Sequence, residues 1–127
     1  MAGSLIAGTI VDENGKPVDL TGQEGAKAWA NLNGVGTIAI RDSFNISSVT
    51  DINTGNYTFN FTNGMNGIDF SANVSGSDNN AGNYYTHAHG YGYSPNSVSA
   101  TSGAATSSSH LGVDVLIVEI AVFGRLA

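Results

Sequence analysis

Three aromatic residues alternate with polar residues in the segment 56–62, and this alternation constrains the fold more than any other feature of the chain. Tyr57, Phe59 and Phe61 occupy every second position, and the residues between them are asparagine or threonine. Successive side chains of a strand point to opposite faces of a sheet. The segment therefore predicts a half-buried strand with its rings directed to the core.

A turn sequence precedes this strand. Residues 51–56, DINTGN, contain the Asp, Asn and Gly that tolerate a positive φ. We therefore predict that residues 44–50 and 57–62 pair as a β-hairpin. The polar stretch 100–110 is expected to be a surface loop.

The remaining chain indicates a single all-β domain. No stretch of the 127 residues shows helical periodicity, and at least seven segments are typical of strands. We predict an antiparallel β-sandwich of jelly-roll or immunoglobulin-like size, formed by residues 26–127. Residues 1–25 contain a turn sequence and a connector, and we expect them to form an N-terminal attachment arm.

Charge and composition exclude several classes of function. The formal net charge is −6 and the chain has only four Lys and Arg residues, so no nucleic acid is expected as a partner. The chain contains no cysteine, which excludes disulfides and thiolate metal sites. The longest apolar stretch, 115–123, contains Glu119 and falls well short of the roughly 20 residues of a membrane helix. We expect no secretory signal and no membrane insertion.

The closing segment 113–123 is apolar on both faces if it is extended. Such a strand must be covered on both sides. Either it lies enclosed between two layers of one subunit, or one face packs on the core and the other on a neighbouring subunit. The second alternative gives four candidates for a subunit interface: Val113, Val115, Ile117 and Phe123.

The segment 27–62 carries a resemblance to a known family. Its sequence, KAWANLNGVGTIAIRDSFNISSVTDINTGNYTFNFT, resembles a module of tailed-bacteriophage virion proteins, mostly tail-fibre and related structural proteins. That module opens on Ala-Trp-x-Asn-x-Asn-Gly-x-Gly-Thr, continues through Arg-x-Ser-Phe-Asn and an Asp-x-x-Thr-Gly-x-Tyr-Thr hairpin, and closes on Ala-Val-Phe. The matching residues here are Ala28, Trp29, Asn31, Asn33, Gly34, Gly36, Thr37, Arg41, Ser43, Phe44, Asn45, Asp51, Thr54, Gly55, Tyr57, Thr58, Ala121, Val122 and Phe123. The match is dense over 27–62 and loose over about 63–111.

The resemblance implies a surface structural protein of a bacteriophage virion, with a tail-fibre-like homotrimeric assembly and a role in host adsorption. It implies assembly in the bacterial host cytoplasm and localisation in the virion. Residues 1–25 would attach the domain to other phage virion proteins, and the loose region would be free to vary as a binding surface. The alternative is a capsid decoration (cement) protein that stabilises the head shell.

A segment rich in tyrosine and histidine allows three interpretations. Tyr85, His87, His89, Tyr91 and Tyr93 would share one face of an extended chain. They could form a partly exposed strand face or polar interface, since both residue types pack through their rings. They are also candidates for receptor binding, because tyrosine provides rigid amphipathic area against a host surface glycan. Thirdly, His87 and His89 of three subunits could hold a transition metal at a threefold axis.

Catalytic motifs are missing from the sequence. There is no Gly-x-Ser-x-Gly elbow and no metal-hydrolase motif, and the carboxylates are scattered. We expect no enzymatic activity and no cofactor, and the short chain disfavours a polysaccharide depolymerase. Glu119 is interpreted as structural and should pair with Arg41 or Arg125 if its face is buried.

Overall fold

All regular structure in the described part of the chain is β-strand. The computed structural model describes residues 23–77, 85–105 and 110–127, without the side chains of 85–87, 104–105 and 110–111. The strands in these ranges are β1 Ala28–Asn33, β2 Ala39–Phe44, β3 Ile46–Asn53, β4 Asn56–Phe61, β5 Ser71–Ser77, β6 Tyr85–Ser94, β7 Ser97–Ala105, β8 His110–Gly112 and β9 Ile117–Phe123.

The strands form two antiparallel sheets. The four-stranded sheet has the order β2-β1-β9-β5, and the five-stranded sheet has the order β3-β4-β7-β6 with β8 paired to β7. Buried residues of both sheets belong to one hydrophobic core. The predicted all-β class is therefore confirmed, with two antiparallel sheets arranged as in a β-sandwich.

The predicted hairpin is present as β3 and β4. Its turn is Thr54-Gly55, and Gly55 has a φ of +71°. The alternation in β4 is also confirmed, because Tyr57 and Phe59 are fully buried and Phe61 nearly so. These rings fill the space between the sheets, where they join core residues of β1, β7 and β9.

The first strand of the hairpin begins later than predicted. Phe44 ends β2 in the other sheet, and Asn45 follows with a φ of +56°. Asparagine tolerates this left-handed conformation better than most residues. Its side-chain amide donates to the carbonyl oxygens of Lys27 and Asn63, each at 3.0 Å, and its oxygen accepts from the Asn63 amide at 2.7 Å. Asn45 is therefore the corner at which the chain passes from one sheet to the other.

The polar loop predicted over residues 100–110 was wrong in its first half. Residues 97–105 form β7, and Ala100 and Ser102 are fully buried. The Ser102 hydroxyl donates to the Val113 carbonyl at 2.9 Å, and its backbone N–H donates to the Gly55 carbonyl at 2.7 Å. A buried hydroxyl costs little stability when it is hydrogen-bonded. The small polar sequence is thus compatible with a central strand.

The closing strand β9 lies between β1 and β5 and has two different faces. Val118, Ile120 and Val122 are buried in the core. Ile117 and Phe123 on the opposite face remain partly exposed, together with Ala121, and Glu119 is exposed. Full enclosure of this strand within one subunit is therefore not observed.

The predicted arm lies mostly outside the described residues. Of the segment 1–25, only residues 23–25 are described, and they are exposed and irregular. The division into an arm and a domain beginning at residue 26 stays a prediction.

Candidate functional site: two outer sheet faces

One end of the sandwich is held by hydrogen bonds around the buried residue Tyr57. The Tyr57 hydroxyl lies 3.1 Å from the Gly34 carbonyl and 2.9 Å from Oδ1 of Asp114. The same carboxylate oxygen accepts from the Gly55 N–H at 2.7 Å. Three chain connections therefore meet at one buried tyrosine: β1–β2, β3–β4 and the segment before β9. Burial, together with the hydrogen bond to Asp114, raises the pKa of Tyr57 well above its usual range.

Gly34 is required by this close packing. A methyl group at this position would lie 2.6 Å from the Val115 carbonyl oxygen and 2.7 Å from the Tyr57 hydroxyl. Both distances are shorter than carbon–oxygen contacts allow. Gly34 and Tyr57, both part of the resemblance, therefore serve the framework of the fold.

The outer face of the five-stranded sheet consists of hydroxyl and amide side chains. Thr58 and Ser99 share a hydrogen bond of 2.9 Å, and the Asn60 amide donates to Ser48 at 3.0 Å and to Thr50 at 3.2 Å. These residues oppose one another across β3, β4 and β7, and in β4 and β7 they alternate with buried residues. We call this surface, with Asn56, Thr101, His89 and Tyr91, the polar face.

His89 and Tyr91 lie on the polar face. They pair with Thr101 and Ser99 of β7, and directly opposite residues of paired strands share a face. The ring centroids of His89 and Tyr91 are 6.3 Å apart, and the Tyr91 hydroxyl lies 3.4 Å from Oδ1 of Asn56. Two of the five receptor-binding candidates are therefore neighbours at the edge of this surface.

Tyr93 does not share that face, although its sequence spacing predicts it. A β-bulge interrupts the pairing between Tyr91 and Ser94, and Gly92 has a φ of +57°. Such a bulge places two residues opposite one and reverses the alternation beyond it. The Tyr93 ring therefore turns to the inner side, where its centroid lies 5.0 Å from that of Phe70.

The other two candidates are described only in their backbone. Tyr85 and His87 belong to β6 and pair with Ala105 and Gly103, but their side chains lie outside the described part of the chain. The metal site proposed for His87 and His89 stays a prediction. In the described residues no three His, Cys, Asp or Glu side chains come together as a metal site would need.

The outer face of the four-stranded sheet has a different chemistry. Trp29 pairs with Phe44 on one side and with Ala121 on the other, and Phe123 lies at the same end of the sheet. Trp29 is 37% exposed and Phe44 is 54% exposed. We call this surface, which also includes Ile117, the aromatic face.

A hydrogen-bonded chain crosses all four strands beside these rings. Arg41 donates to Oδ1 of Asn31 at 3.1 Å, and the Asn31 amide donates to Oε1 of Glu119 at 3.0 Å. Ser75 donates to the second carboxylate oxygen at 3.2 Å. Glu119 is therefore exposed and linked to Arg41 through Asn31, rather than buried and paired directly with an arginine.

Arg41 reaches this position because of a register shift in the β1–β2 pair. The shift lies between Asn31 and Leu32, so that Arg41 is the extra residue in β2. Its guanidinium also donates to the carbonyl oxygens of Leu32 at 3.1 Å and Leu116 at 2.8 Å, and to Oδ1 of Asn33 at 3.1 Å. A single side chain thus ties β2 to the start of β9 across β1.

The four interface candidates are separated by the structure. Val115 is only 1% exposed and packs in the core of its own subunit, so its side chain offers no exposed apolar surface. Val113 is partly buried against the same core. Ile117 and Phe123 lie on the aromatic face and stay candidates.

Sequence reasoning missed Trp29 and Phe44 as exposed residues. For Trp29 the sequence contained a signal of exposure: the apolar residues Ala28, Ala30 and Leu32 occupy the alternate positions of the strand. The structure shows these three residues buried. Phe44 was assigned to the hairpin strand, which would have directed it to another sheet. Only the corner at Asn45 places it beside Trp29.

Comparison of the chain with family models, curated proteins and solved structures found no match. In the described residues there is no helix long and apolar enough to cross a membrane.

Proposed function

We propose that the protein is a surface structural protein of a bacteriophage virion, a tail-fibre-like module that assembles as a homotrimer and contributes to host adsorption. The observation that carries the assembly part is the contrast between its two outer faces. One face presents exposed aromatic rings beside the hydrogen-bonded row of Arg41, Asn31, Glu119 and Ser75, and the other presents mainly hydroxyls and amides. A module displayed on a particle needs one face for its copies and one face for the surroundings.

The aromatic face has the composition of a protein interface. Tryptophan, phenylalanine and arginine are enriched in such interfaces and dominate their binding energy. On this face Trp29 lies opposite Phe44 and Ala121, Phe123 lies two residues beyond Ala121 in β9, and Arg41 lies three residues before Phe44 in β2. Burying these partly exposed rings against a second copy removes apolar surface from water, at about 25 cal/mol for each Å². The interface would therefore consist of Trp29, Phe44, Ile117 and Phe123.

The virion assignment depends on the resemblance to phage modules. Its dense part coincides with residues that build the framework: Gly34, Arg41, Asn45, Gly55 and Tyr57 each have a specific contact or a positive φ. A shared framework accounts for a resemblance that is dense in this part and loose over 63–111. The polar face includes β6 and β7, which belong to the loose part and could therefore differ between modules that meet different hosts.

The assembly can be tested with one substitution and a matched control. Phe44→Asp places a charge in the proposed interface, whereas Ile68→Asp places one at an equally exposed apolar residue, 58% exposed, in the turn before β5. We expect light scattering to give a trimer for the wild type and for Ile68→Asp, and a monomer for Phe44→Asp. A stable wild-type monomer at micromolar concentration would contradict the proposed assembly.

Copy number in the virion distinguishes the tail-fibre assignment from the alternative function, a capsid decoration protein. A decoration protein repeats over the whole head lattice, whereas a fibre module is confined to the tail. Quantitative mass spectrometry of purified virions, with the major capsid protein as the reference, measures the ratio. A near-stoichiometric ratio would exclude the tail-fibre assignment, and absence from the virion would exclude both.

A further inference from the structure

The polar face has no cationic residue among its described members. Of the described basic residues, Lys27 precedes β1, Arg41 lies in β2 on the aromatic face, and Arg125 follows β9. The side chains on the polar face are instead hydroxyls and amides, together with the rings of His89 and Tyr91. A ligand for this surface therefore finds hydrogen-bonding groups and no fixed counter-charge.

We propose that the polar face binds a neutral saccharide, with Tyr91 and His89 as the ring contacts and with Thr58, Ser99 and Thr101 as hydrogen-bonding partners. This inference depends on the proposed adsorption function and names its ligand class. The sugar ring packs through its C–H surface against the Tyr91 ring, and the His89 ring, inclined by 54° to that of Tyr91, borders the sugar on one side. Its hydroxyl groups exchange hydrogen bonds with the side chains on β4 and β7.

The geometry of the surface fits a sugar better than a protein partner. Neighbouring strands lie about 4.8 Å apart, so the side chains of β4, β7 and β6 form rows of donors and acceptors at that spacing. A sugar presents hydroxyls, each both donor and acceptor, around a single ring. Protein interfaces, by contrast, are depleted in serine, and the polar face contains Ser48, Ser97 and Ser99. Tyrosine beside serine and asparagine is a combination that recognition surfaces use for rigid contact with adaptable hydrogen bonding.

The lack of cationic side chains among the described residues of the polar face favours a neutral ligand. An anionic sugar would give up hydration of its carboxylate without gaining a charge-assisted hydrogen bond, which contributes about twice as much as a neutral one. The net charge of −6 for the whole chain adds long-range repulsion. Neutral hexoses and N-acetylhexosamines avoid both costs.

Gly92, in the bulge, adds no side chain over the partly buried hydroxyl of Ser99, which shares a hydrogen bond with Thr58. A methyl group at Gly92 would lie 3.1 Å from Oγ and 3.3 Å from Cβ of Ser99. Any side chain at this position would therefore cover this hydroxyl.

The two tyrosines on either side of the bulge provide a matched test. Tyr91 and Tyr93 are 40% and 38% exposed, but only Tyr91 lies on the polar face. The probes are neutral oligosaccharides of hexose and N-acetylhexosamine, with uronate-containing oligosaccharides of the same length for comparison, measured by calorimetry and on a glycan array. Circular dichroism checks that each variant is folded.

We expect the wild type to bind neutral oligosaccharides and to bind the uronate forms more weakly. Tyr91→Ala should lower the affinity about tenfold or more, since it removes the ring contact, and Tyr93→Ala should change it less than about twofold. Ser99→Ala, a smaller change on the same face, should weaken binding by several-fold. No binding of any neutral probe, a preference for uronates, or equal losses in the two tyrosine variants would each overturn the proposal.

These outcomes are distinguishable from failure of the proposed assembly. Sugar binding is measured on the purified protein, and the Phe44→Asp variant leaves the polar face unchanged. If the protein binds sugar as a monomer, the saccharide proposal stands and the proposed trimer is refuted. If it is a trimer that binds no neutral sugar, the trimer stands and the saccharide proposal is refuted.

Discussion

Asp114 should be the carboxylate with the largest effect on stability when it is removed. Its Oδ1 atom accepts hydrogen bonds from the buried N–H of Gly55 at 2.7 Å and from the buried hydroxyl of Tyr57 at 2.9 Å. Asp114→Ala removes this shared acceptor from both donors at once. The Tyr57 hydroxyl can still donate to the Gly34 carbonyl at 3.1 Å, but the Gly55 N–H loses the acceptor that the structure gives it.

The magnitude follows from these contacts. A hydrogen bond to a charged group contributes about 1.5–3 kcal/mol, and a buried donor without a partner costs about 1–3 kcal/mol. One orphaned amide and one weakened hydroxyl bond give an expected loss of about 2–4 kcal/mol for Asp114→Ala. Tyr57→Phe removes the hydroxyl while Asp114 keeps the Gly55 N–H, so we expect about 1–2 kcal/mol.

The double variant tests whether the two residues act together. If Tyr57 and Asp114 share one hydrogen bond, the losses in Tyr57→Phe/Asp114→Ala should be less than additive by about 1 kcal/mol. Urea unfolding followed by the fluorescence of Trp29, the only tryptophan, measures all three variants, and Trp29 reports from the opposite sheet. Asp69→Ala, at an exposed carboxylate before β5, is the control and should change stability by less than about 0.5 kcal/mol. A loss for Asp114→Ala as small as that of the control, or strict additivity, would refute this reasoning.

Two further predictions concern the same end of the sandwich. Gly34→Ala should destabilise the protein by about 2–4 kcal/mol, because the new methyl group would overlap backbone and tyrosine oxygens. Gly36→Ala is the control: nothing lies within 4 Å of the new methyl group, so it should cost only the strain of the φ of +67°, about 1 kcal/mol. Equal effects of the two substitutions in urea unfolding would contradict this prediction. The pKa of Tyr57 is raised by burial and by Asp114, so the unfolded chain loses this proton first, and the stabilising contribution should be lost as the pH rises above about 10. Unfolding measured between neutral and strongly alkaline pH should show this fall in the wild type and a smaller fall in Tyr57→Phe; identical pH dependence in the two would exclude the assignment.

Local chemistry was sufficient to predict the central hairpin. The alternation of rings and amides in 57–62 and the Asn, Asp and Gly of the turn are signals that neighbouring residues carry by themselves. They correctly placed Tyr57, Phe59 and Phe61 in the core. The strand β7 was missed because its signal is not local: the burial of Ser102 depends on a hydrogen bond to the carbonyl of Val113, eleven residues away.

The candidate faces were only partly predictable. That His89 and Tyr91 lie on the same face of β6 follows from strand alternation alone, and this prediction agrees with the structure. The exclusion of Tyr93 required the bulge at Gly92, and glycine in a strand indicates a bulge without stating which side chains it will reverse.

By itself the sequence determined the all-β class, the ring-filled core and the polar surface of β4, because alternation along a strand is a property of the backbone. Only the tertiary structure decided which apolar residues remain exposed. Trp29 and Phe44 become neighbours across β1 and β2 because Asn45 turns the chain into the second sheet, and Val115 is buried because the segment before β9 closes over Tyr57. These outcomes depend on contacts between residues far apart in the chain, and a local pattern does not contain them.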